Sequence, residues 1–210
     1  MGVTERKERE KESRREAIVA AAQKVFFEKG IENTTMRDIA EETELSKATL
    51  YLYFTDKEEL TFEILLLTFQ RVNELIRTAA DSHATGYQKL QSISAAYMNF
   101  YREYPQYTYF SLVMDQYAHA VAQGKESAQR CMEEIHRIQE FIRELLEEGI
   151  RDGSIRSDIE PDKTAVFFIH VVTSFMKRVL VLKDAVGPSM DYRPQELIEH
   201  MFTLFLYSLT

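Results

Sequence analysis

The chain has 210 residues and a formal net charge of -8, with 45% hydrophobic and 29% charged residues. That length carries one large domain or a small domain joined to a larger one, and the acidic balance excludes a protein that coats nucleic acid without specificity. A single cysteine, Cys131, excludes an internal disulfide and fits a reducing cytoplasm, while seven glycines and four prolines are too few for a many-turned β fold.

Residues 1–12 mix charges and lack an apolar stripe, so they read as a frayed arm or a solvated helical extension. They have no apolar core of the secretory kind. Ser13 is placed to cap a first helix with Ile18, Ala21, Ala22, Val25 and Phe26 on one face, and Gly30 to end it in the left-handed conformation. Thr34 and Thr35 open a short second helix, with Asp38 completing a capping box and Met36, Ile39, Ala40 and Thr43 facing inward. After a tight turn at Glu44 and Leu45, Ser46 caps a third helix expected to reach Phe54. Thr55, with Glu58 three residues on, opens a linking helix over 57–80. Five more helices are expected, over 87–103, from 105 to about 118 or a little beyond, from just after Gly124 to about 152, and over 161–183 and 195–209. The expectation is an all-α protein of nine helices. An N-terminal domain would span 1–56, with its motif at 35–54, and a helical C-terminal domain would span 57–210. The longest apolar stretch, 165–182, contains His170, Lys177 and Arg178, which argues against a membrane span.

Two short helices joined by a tight turn form a helix-turn-helix, whose second helix enters the major groove of DNA. At 100° per residue Leu50 and Phe54 point inward, and Ala48 and Leu52 point out with Thr49 and Tyr51 beside them. Ala48 and Leu52 suit thymine methyl groups, Thr49 and Lys47 suit base edges or phosphate, and the Tyr51 and Tyr53 hydroxyls suit phosphate. Helix N-termini add anion-seeking N–H groups at Thr34 or Thr35 beside Arg37, at Ser46 and at Lys57. Against this stands the charge of residues 1–56, which hold 10 Lys and Arg but 12 Asp and Glu. Acids facing away from the groove would reconcile the two, with Lys47, Arg37, Lys57 and some of Arg14 and Arg15 lining it, and would predict few phosphate contacts and a shallow salt dependence.

The runs Thr34-Thr35-Met36-Arg37-Asp38-Ile39-Ala40, Leu45-Ser46-Lys47-Ala48-Thr49-Leu50-Tyr51-Leu52-Tyr53-Phe54 and Lys57-Glu58-Glu59-Leu60, preceded by Phe26-Phe27-Glu28-Lys29-Gly30, resemble the TetR/AcrR family of bacterial regulators. The resemblance covers about residues 14–60. It implies a homodimer that sets one recognition helix per subunit into a partly palindromic operator, and an effector pocket in the larger domain. It implies base reading by Lys47 and Thr49 and phosphate contacts by Thr35, Tyr51, Tyr53 and Lys57. The family usually has Gly where Glu44 stands and often where Ala48 stands. A left-handed Glu44 would cost on the order of 1 kcal/mol.

In the larger domain six of eleven tyrosines fall between 97 and 117. Tyr97, Phe100, Tyr101, Tyr104, Phe110, Met114 and Tyr117 either pack a core or line a pocket for a partly apolar small molecule, as do Phe141, Phe168, His170 and Phe175. The last two helices are apolar on much of their circumference. Phe167, Val171, Leu197, Met201, Phe202 and Phe205 are candidates for a dimer interface, with a monomeric core as the other use. The five histidines show no paired metal-ligand spacing, so no metal and no cofactor are expected. The expectation is a cytoplasmic, ligand-responsive regulator, a repressor rather than an enzyme, with DNA, a second copy and an effector as partners and no membrane. The alternative is an all-helical carrier or enzyme with a vestigial DNA module, supported by Glu44 and the acidic balance.

Overall fold

The computed structural model describes residues 3–81, 84–107, 117–181 and 193–210. Among them there is no strand, and nine helices run in chain order: α1 (Val3–Lys29), α2 (Met36–Glu42), α3 (Lys47–Tyr51), α4 (Lys57–Ala80), α5 (Gly86–Glu103), α6 (Ala118–Ala122), α7 (Glu126–Asp152), α8 (Pro161–Val181) and α9 (Pro194–Tyr207). Helical residues at 105–107 make a tenth segment. The all-α class stands, and the count exceeds nine because Ala118–Ala122 is a helix of its own, ended before Gly124 at a positive φ of 69°. Residues 108–116 of the helix expected over 105–118, and the break expected at Gly187-Pro188, lie outside the described residues. No helix among the described residues is long and apolar enough to cross a membrane.

Local chemistry explains where the helices start and stop. α1 begins at Val3, ten residues before the expected cap at Ser13. Alternating acids and bases carry it there, with Arg6 and Glu10 paired at 2.8 Å one turn apart. It stops where expected, with Gly30 at φ +81° donating its N–H to Phe26 O. α4 starts as expected, but its cap is one residue later than Thr55. The Asp56 carboxylate accepts from the Glu59 N–H at 2.8 Å, and the Glu59 side chain accepts from the Thr55 N–H at 2.7 Å.

The chain divides by its internal contacts into two units, Met1–Leu67 and Thr68–Thr210. The division falls inside α4, whereas the sequence suggested 56/57. In unit 1, α2 packs against α1 and α3, and Ile18, Ala22, Val25, Phe26, Ile39, Leu50 and Phe54 are buried. Burying each large apolar side chain of this kind contributes about 1.5–3 kcal/mol. In unit 2, α5 and α8 both pack against α7, and α9 packs against α5 and α8. Its core includes Val72, Ile76, Leu90, Ile93, Ile142, Leu146, Phe168, Met176 and Phe202. α5 and α7 approach so closely that a Cβ on Gly86 would lie 2.3 Å from Gly149 N, so glycine is required there. The start of α5 is tied to the end of α7 by the Gly86 N–H donating to Asp152 at 2.8 Å and by Lys89 paired with Glu148 at 2.6 Å.

Candidate nucleic-acid interface and cavity

The geometry of α2 and α3 is set by short-range polar bonds. The Thr35 hydroxyl accepts from the Asp38 N–H at 3.3 Å, and Asp38 accepts from the Thr35 N–H at 2.8 Å, the reciprocal cap read from the sequence. Lys29 donates to the other Asp38 oxygen at 2.6 Å. The Lys29 ammonium first, then the Thr35 hydroxyl and N–H, hold the Asp38 carboxyl well below the usual range. The turn that follows closes with Leu45 N–H donating to Ala40 O and Glu44 N–H donating to Glu41 O, the double bond of a left-handed helix stop. Glu44 sits in that stop with a φ of 55°, alone among the described non-glycine residues, so the strain expected from its sequence position is present.

Ser46 then caps α3, its hydroxyl accepting from the Thr49 N–H at 3.1 Å and lying 2.8 Å from the Thr49 hydroxyl. α3 is shorter than expected. It ends at Tyr51, and Leu52 and Tyr53 continue as a turn in which the Phe54 N–H still donates to Leu50 O. Leu50 and Phe54 are fully buried. On the other side Lys47 and Ala48 are exposed, Tyr51 is 49% exposed and Leu52 is 79% exposed. Nothing in unit 1 covers these two large side chains, and together with the exposed Lys47 they make a small amphipathic face.

Some predicted contacts sit elsewhere. Thr34 is 1% exposed and donates its hydroxyl to Gly30 O at 2.8 Å, so it fastens the end of α1 and does not face a groove. The Lys57 ammonium donates to Ile31 O at 2.7 Å and is held on the main chain. Arg15 pairs with Glu63 at 2.8 Å and lies 4.8 Å over the Phe54 ring, behind the recognition helix and not on its outer face. Arg37 is exposed and paired with Glu41, and Lys24 is paired with Glu42. Glu41, Glu42 and Glu63 are thus each held by a base of unit 1, which leaves the net excess of acid in place. The four-residue spacing of Arg37 and Glu41 was open to sequence reading but was not used, and the pairs that bridge α1 to α2 were not open to it.

Unit 2 holds a cavity of about 280 Å³. Phe69, Val72 and Ile76 of α4, Ile93 and Tyr97 of α5, Met132, Ile135, Ile138 and Ile142 of α7, and Phe202 of α9 form its apolar walls. From α8 come Phe168, Ile169 and Val172, with His170, Thr173, Ser174 and Lys177 beside them. Burial pushes the Tyr97 phenol up to about 12. Of the aromatic candidates, Tyr97, Phe168 and His170 line this space. Phe100 and Tyr101 are packed in the core, Tyr104 meets Phe100 and Tyr107, and Phe141 lies under the Arg77 guanidinium at 4.4 Å. Tyr117 lies beside His119, and Phe110 and Met114 are outside the described residues. The isoleucine stripe of α7 was missed, although its spacing over 135, 138 and 142 was available to sequence reading.

A second, apolar groove of about 480 Å³ runs between α8 and α9. Phe167, Val171, Leu197, Met201 and Phe205 of the expected interface line it, joined by Phe175 and Leu204. Phe167 is 63% exposed and Leu204 56%. Phe202 is not on this face. It is buried between Tyr97 and Phe168, with ring centroids 6.3 and 5.8 Å away, and belongs to the cavity wall.

A three-helix unit with a capped bracing helix, a tight left-handed turn and a short helix with a bare outer face is a helix-turn-helix DNA-binding module. Residues 18–64 match the family model of bacterial regulatory proteins, tetR family. The HTH-type transcriptional repressor KstR2 of Rhodococcus jostii is 30% identical over 162 residues, covering 71% of this chain and 72% of that protein. The structure of FadR from Bacillus subtilis in complex with stearoyl-CoA superposes with a TM-score of 0.71 at 17% identity, covering 92% of this chain and 98% of that one. AibR in complex with isovaleryl coenzyme A and operator DNA gives 0.68 at 17% identity, covering 94% and 100%. The chain belongs to the tetR family of bacterial regulatory proteins and is a DNA-binding transcriptional regulator.

Proposed function

We propose that this regulator is an effector-responsive repressor of the cytoplasm, without enzymatic activity, that binds a partly palindromic operator as a homodimer. The observation that carries the reading is the outer face of α3, where Tyr51 and Leu52 stand exposed opposite the buried Leu50 and Phe54. Lys47 and Thr49 reach base edges, Ala48 and Leu52 meet thymine methyl groups, and Thr35, Arg37, Ser46, Tyr51 and Tyr53 hold phosphates. A helix-end N–H and a neutral hydroxyl release fewer counterions than Lys or Arg, so the salt dependence of binding is shallow. The apolar groove of α8 and α9 pairs with its copy, which removes Phe167 and Leu204 from water. The cavity of unit 2 takes a small, partly apolar effector. The ligands in the structures of FadR and AibR support that use.

Selection of bound fragments from genomic DNA at about 100 mM salt tests this. The expected outcome is one enriched, partly palindromic sequence. Losing the Tyr51 or Lys47 side chain costs about 1–3 kcal/mol of operator affinity, as for other specific contacts. Lys47→Ala and Tyr51→Ala proteins that select and bind as well as the parent would sink the reading.

A further inference from the structure

α1 carries a segment that neither the core of unit 1 nor the outer face of α3 accounts for. Residues 3–13 extend the helix about 16 Å ahead of its packed part, and residues 5–14 are all exposed. Such an arm gains nothing from burial, yet its charges are sorted. At 100° per residue Glu5, Glu8, Glu12 and Glu16 fall within about 80° of arc, and Arg6, Arg9 and Arg14 fall outside it. The three arginines line an open groove of about 860 Å³, and none of those four acids does. Ala17 and Ala21 line it farther along α1. Glu42, Thr43 and Leu45 form its other wall, at the end of α2 and in the turn after it.

Leu45 fixes where this groove lies with respect to DNA. It precedes Ser46, the cap of α3, and Lys47, the first residue of that helix. The N-terminal end of a recognition helix is the end that meets base edges, so the groove opens beside the segment of operator that α3 reads. Its charge fits a phosphate strand. Among the described residues, the acids that line the groove are each paired, Glu10 with Arg6 at 2.8 Å and Glu42 with Lys24 at 2.7 Å. The Arg6 and Glu10 side chains are 78% and 61% exposed, and an ion pair so exposed opens to admit a phosphate at little cost. Arg9 donates one N–H to Glu5 O at 3.4 Å, of the five that a guanidinium carries. Arg6 and Arg14 stand about 12 Å apart along the helix, the length over which one strand of a duplex passes about three or four phosphates. We propose, resting on the reading of α3 as the recognition helix, that the arm is a second DNA-contact element. Arg6, Arg9 and Arg14 hold the sugar–phosphate strand that borders the major-groove segment under α3. These contacts fix position and carry no sequence information. They supply most of the salt dependence of binding, because the hydroxyl and N–H contacts of α2 and α3 release few counterions.

Fluorescence anisotropy of the full chain on two labelled duplexes tests the arm. One duplex carries the operator selected from genomic DNA, and the other carries the same bases scrambled. A variant with Arg6→Gln, Arg9→Gln and Arg14→Gln removes the charge of the groove face, and glutamine keeps the arm helical. Its affinity at about 100 mM salt should fall about tenfold on both duplexes, as for contacts that ignore sequence. Between about 50 and 200 mM salt the slope of log affinity against log salt should fall by about two, since each arginine on a phosphate contributes about 0.9 and a dimer brings two arms. A fall of less than about one overturns the proposal. So does an equal fall in a variant with Arg151→Gln, Arg156→Gln and Lys163→Gln, which removes the same charge from exposed positions of unit 2. Arg6→Lys, Arg9→Lys and Arg14→Lys together keep the charge and should keep the slope; a slope as low as that of the glutamine variant overturns the phosphate assignment. If Lys47→Ala and Tyr51→Ala weaken operator binding and the arm variant does not, only the arm proposal falls. If they leave it unchanged, the reading of α3 falls and takes the arm proposal with it.

Discussion

The two units settle their polar groups by different routes, and the routes explain what each can be used for. In unit 1 the turn chemistry is local. Asp38 answers Thr35, Thr49 answers Ser46 and Glu59 answers Asp56, each within three residues. Such caps hold the outer face of α3 in place without needing a large core behind it. In unit 2 the bonds that set helix positions span the chain. Asn73 meets Glu134, Lys89 meets Glu148, the Gly86 N–H meets Asp152, and the Arg156 N–H meets Leu209 O at 2.9 Å. A unit held by distant pairs between packed helices can enclose a cavity. A unit held by caps presents a rigid edge.

The largest effect that tests this contrast is at the α5–α7 crossing. Gly86→Ala would put a Cβ 2.3 Å from Gly149 N and 2.5 Å from Leu145 O, both backbone atoms that no rotamer change can move aside. The helices must part, and a loss of about 3 kcal/mol in denaturant unfolding is expected, at the upper end for overpacked sites. A loss below about 1 kcal/mol would mean that the crossing yields easily and that unit 2 is less tightly set than described.

Next comes the buried pair. Asn73→Leu removes the amide that donates to Glu134 and leaves a carboxylate oxygen without that partner, which costs about 1–3 kcal/mol. Adding Glu134→Leu should recover part of the loss, since removing both partners is far cheaper than removing one. The counterpart in unit 1, Thr35→Ala, removes a cap and should cost about 1 kcal/mol. If the double variant is no more stable than Asn73→Leu alone, the pair is not what ties α4 to α7.

The same division explains what the sequence made legible. The caps at Thr35 and Ser46 and the stop at Gly30 follow from residue type and short spacing, so reading the chain finds them, whereas the left-handed Glu44 is suggested by the resemblance, since the family usually has Gly there. Unit 2 resisted. Tyr101 and Phe168 are both aromatic residues in apolar helical runs, yet one is walled into the core and the other borders the cavity. Phe202 and Phe205 differ by less than one helical turn, and that rotation decides which of them faces Tyr97 and which faces the outer groove. Only the packing of distant helices fixes that rotation. Thr34 and Lys57 failed for a related reason. Residue type marked both as anion binders, but the carbonyls at the end of α1 and just beyond it are their partners in the fold.

A smaller effect, of opposite sign, is expected at the turn of unit 1. Glu44→Gly relieves a left-handed conformation that costs a residue with a Cβ about 1 kcal/mol. The greater freedom of glycine in the unfolded chain offsets part of that gain. A net rise of about 0.5 kcal/mol, read as a higher melting temperature, is expected. A fall would mean that the Glu44 side chain contributes more than the strain costs.

The smallest effect is a change in acid sensitivity, and it reports directly on the caps that distinguish unit 1. Lys29 and Thr35 hold the Asp38 carboxyl below its ordinary value, so the folded protein favours the charged form more than the unfolded chain does. A depressed carboxyl contributes stability that is complete above its unfolded value, near about pH 4, and lost as pH falls toward the folded value. Asp38→Asn keeps the shape of the cap but has no proton to gain. The parent should therefore exceed the variant by a constant margin at neutral pH, and the margin should narrow only below about pH 4. Asp38 is half-buried but its partner Lys29 is exposed, so salt should shrink the margin as well, by screening their pairing. Stability curves that stay parallel from about pH 6 to about pH 2 would show that the carboxylate is not held by these partners. The bracing helix would then owe its position to Met36, Ile39 and Ala40 packing alone.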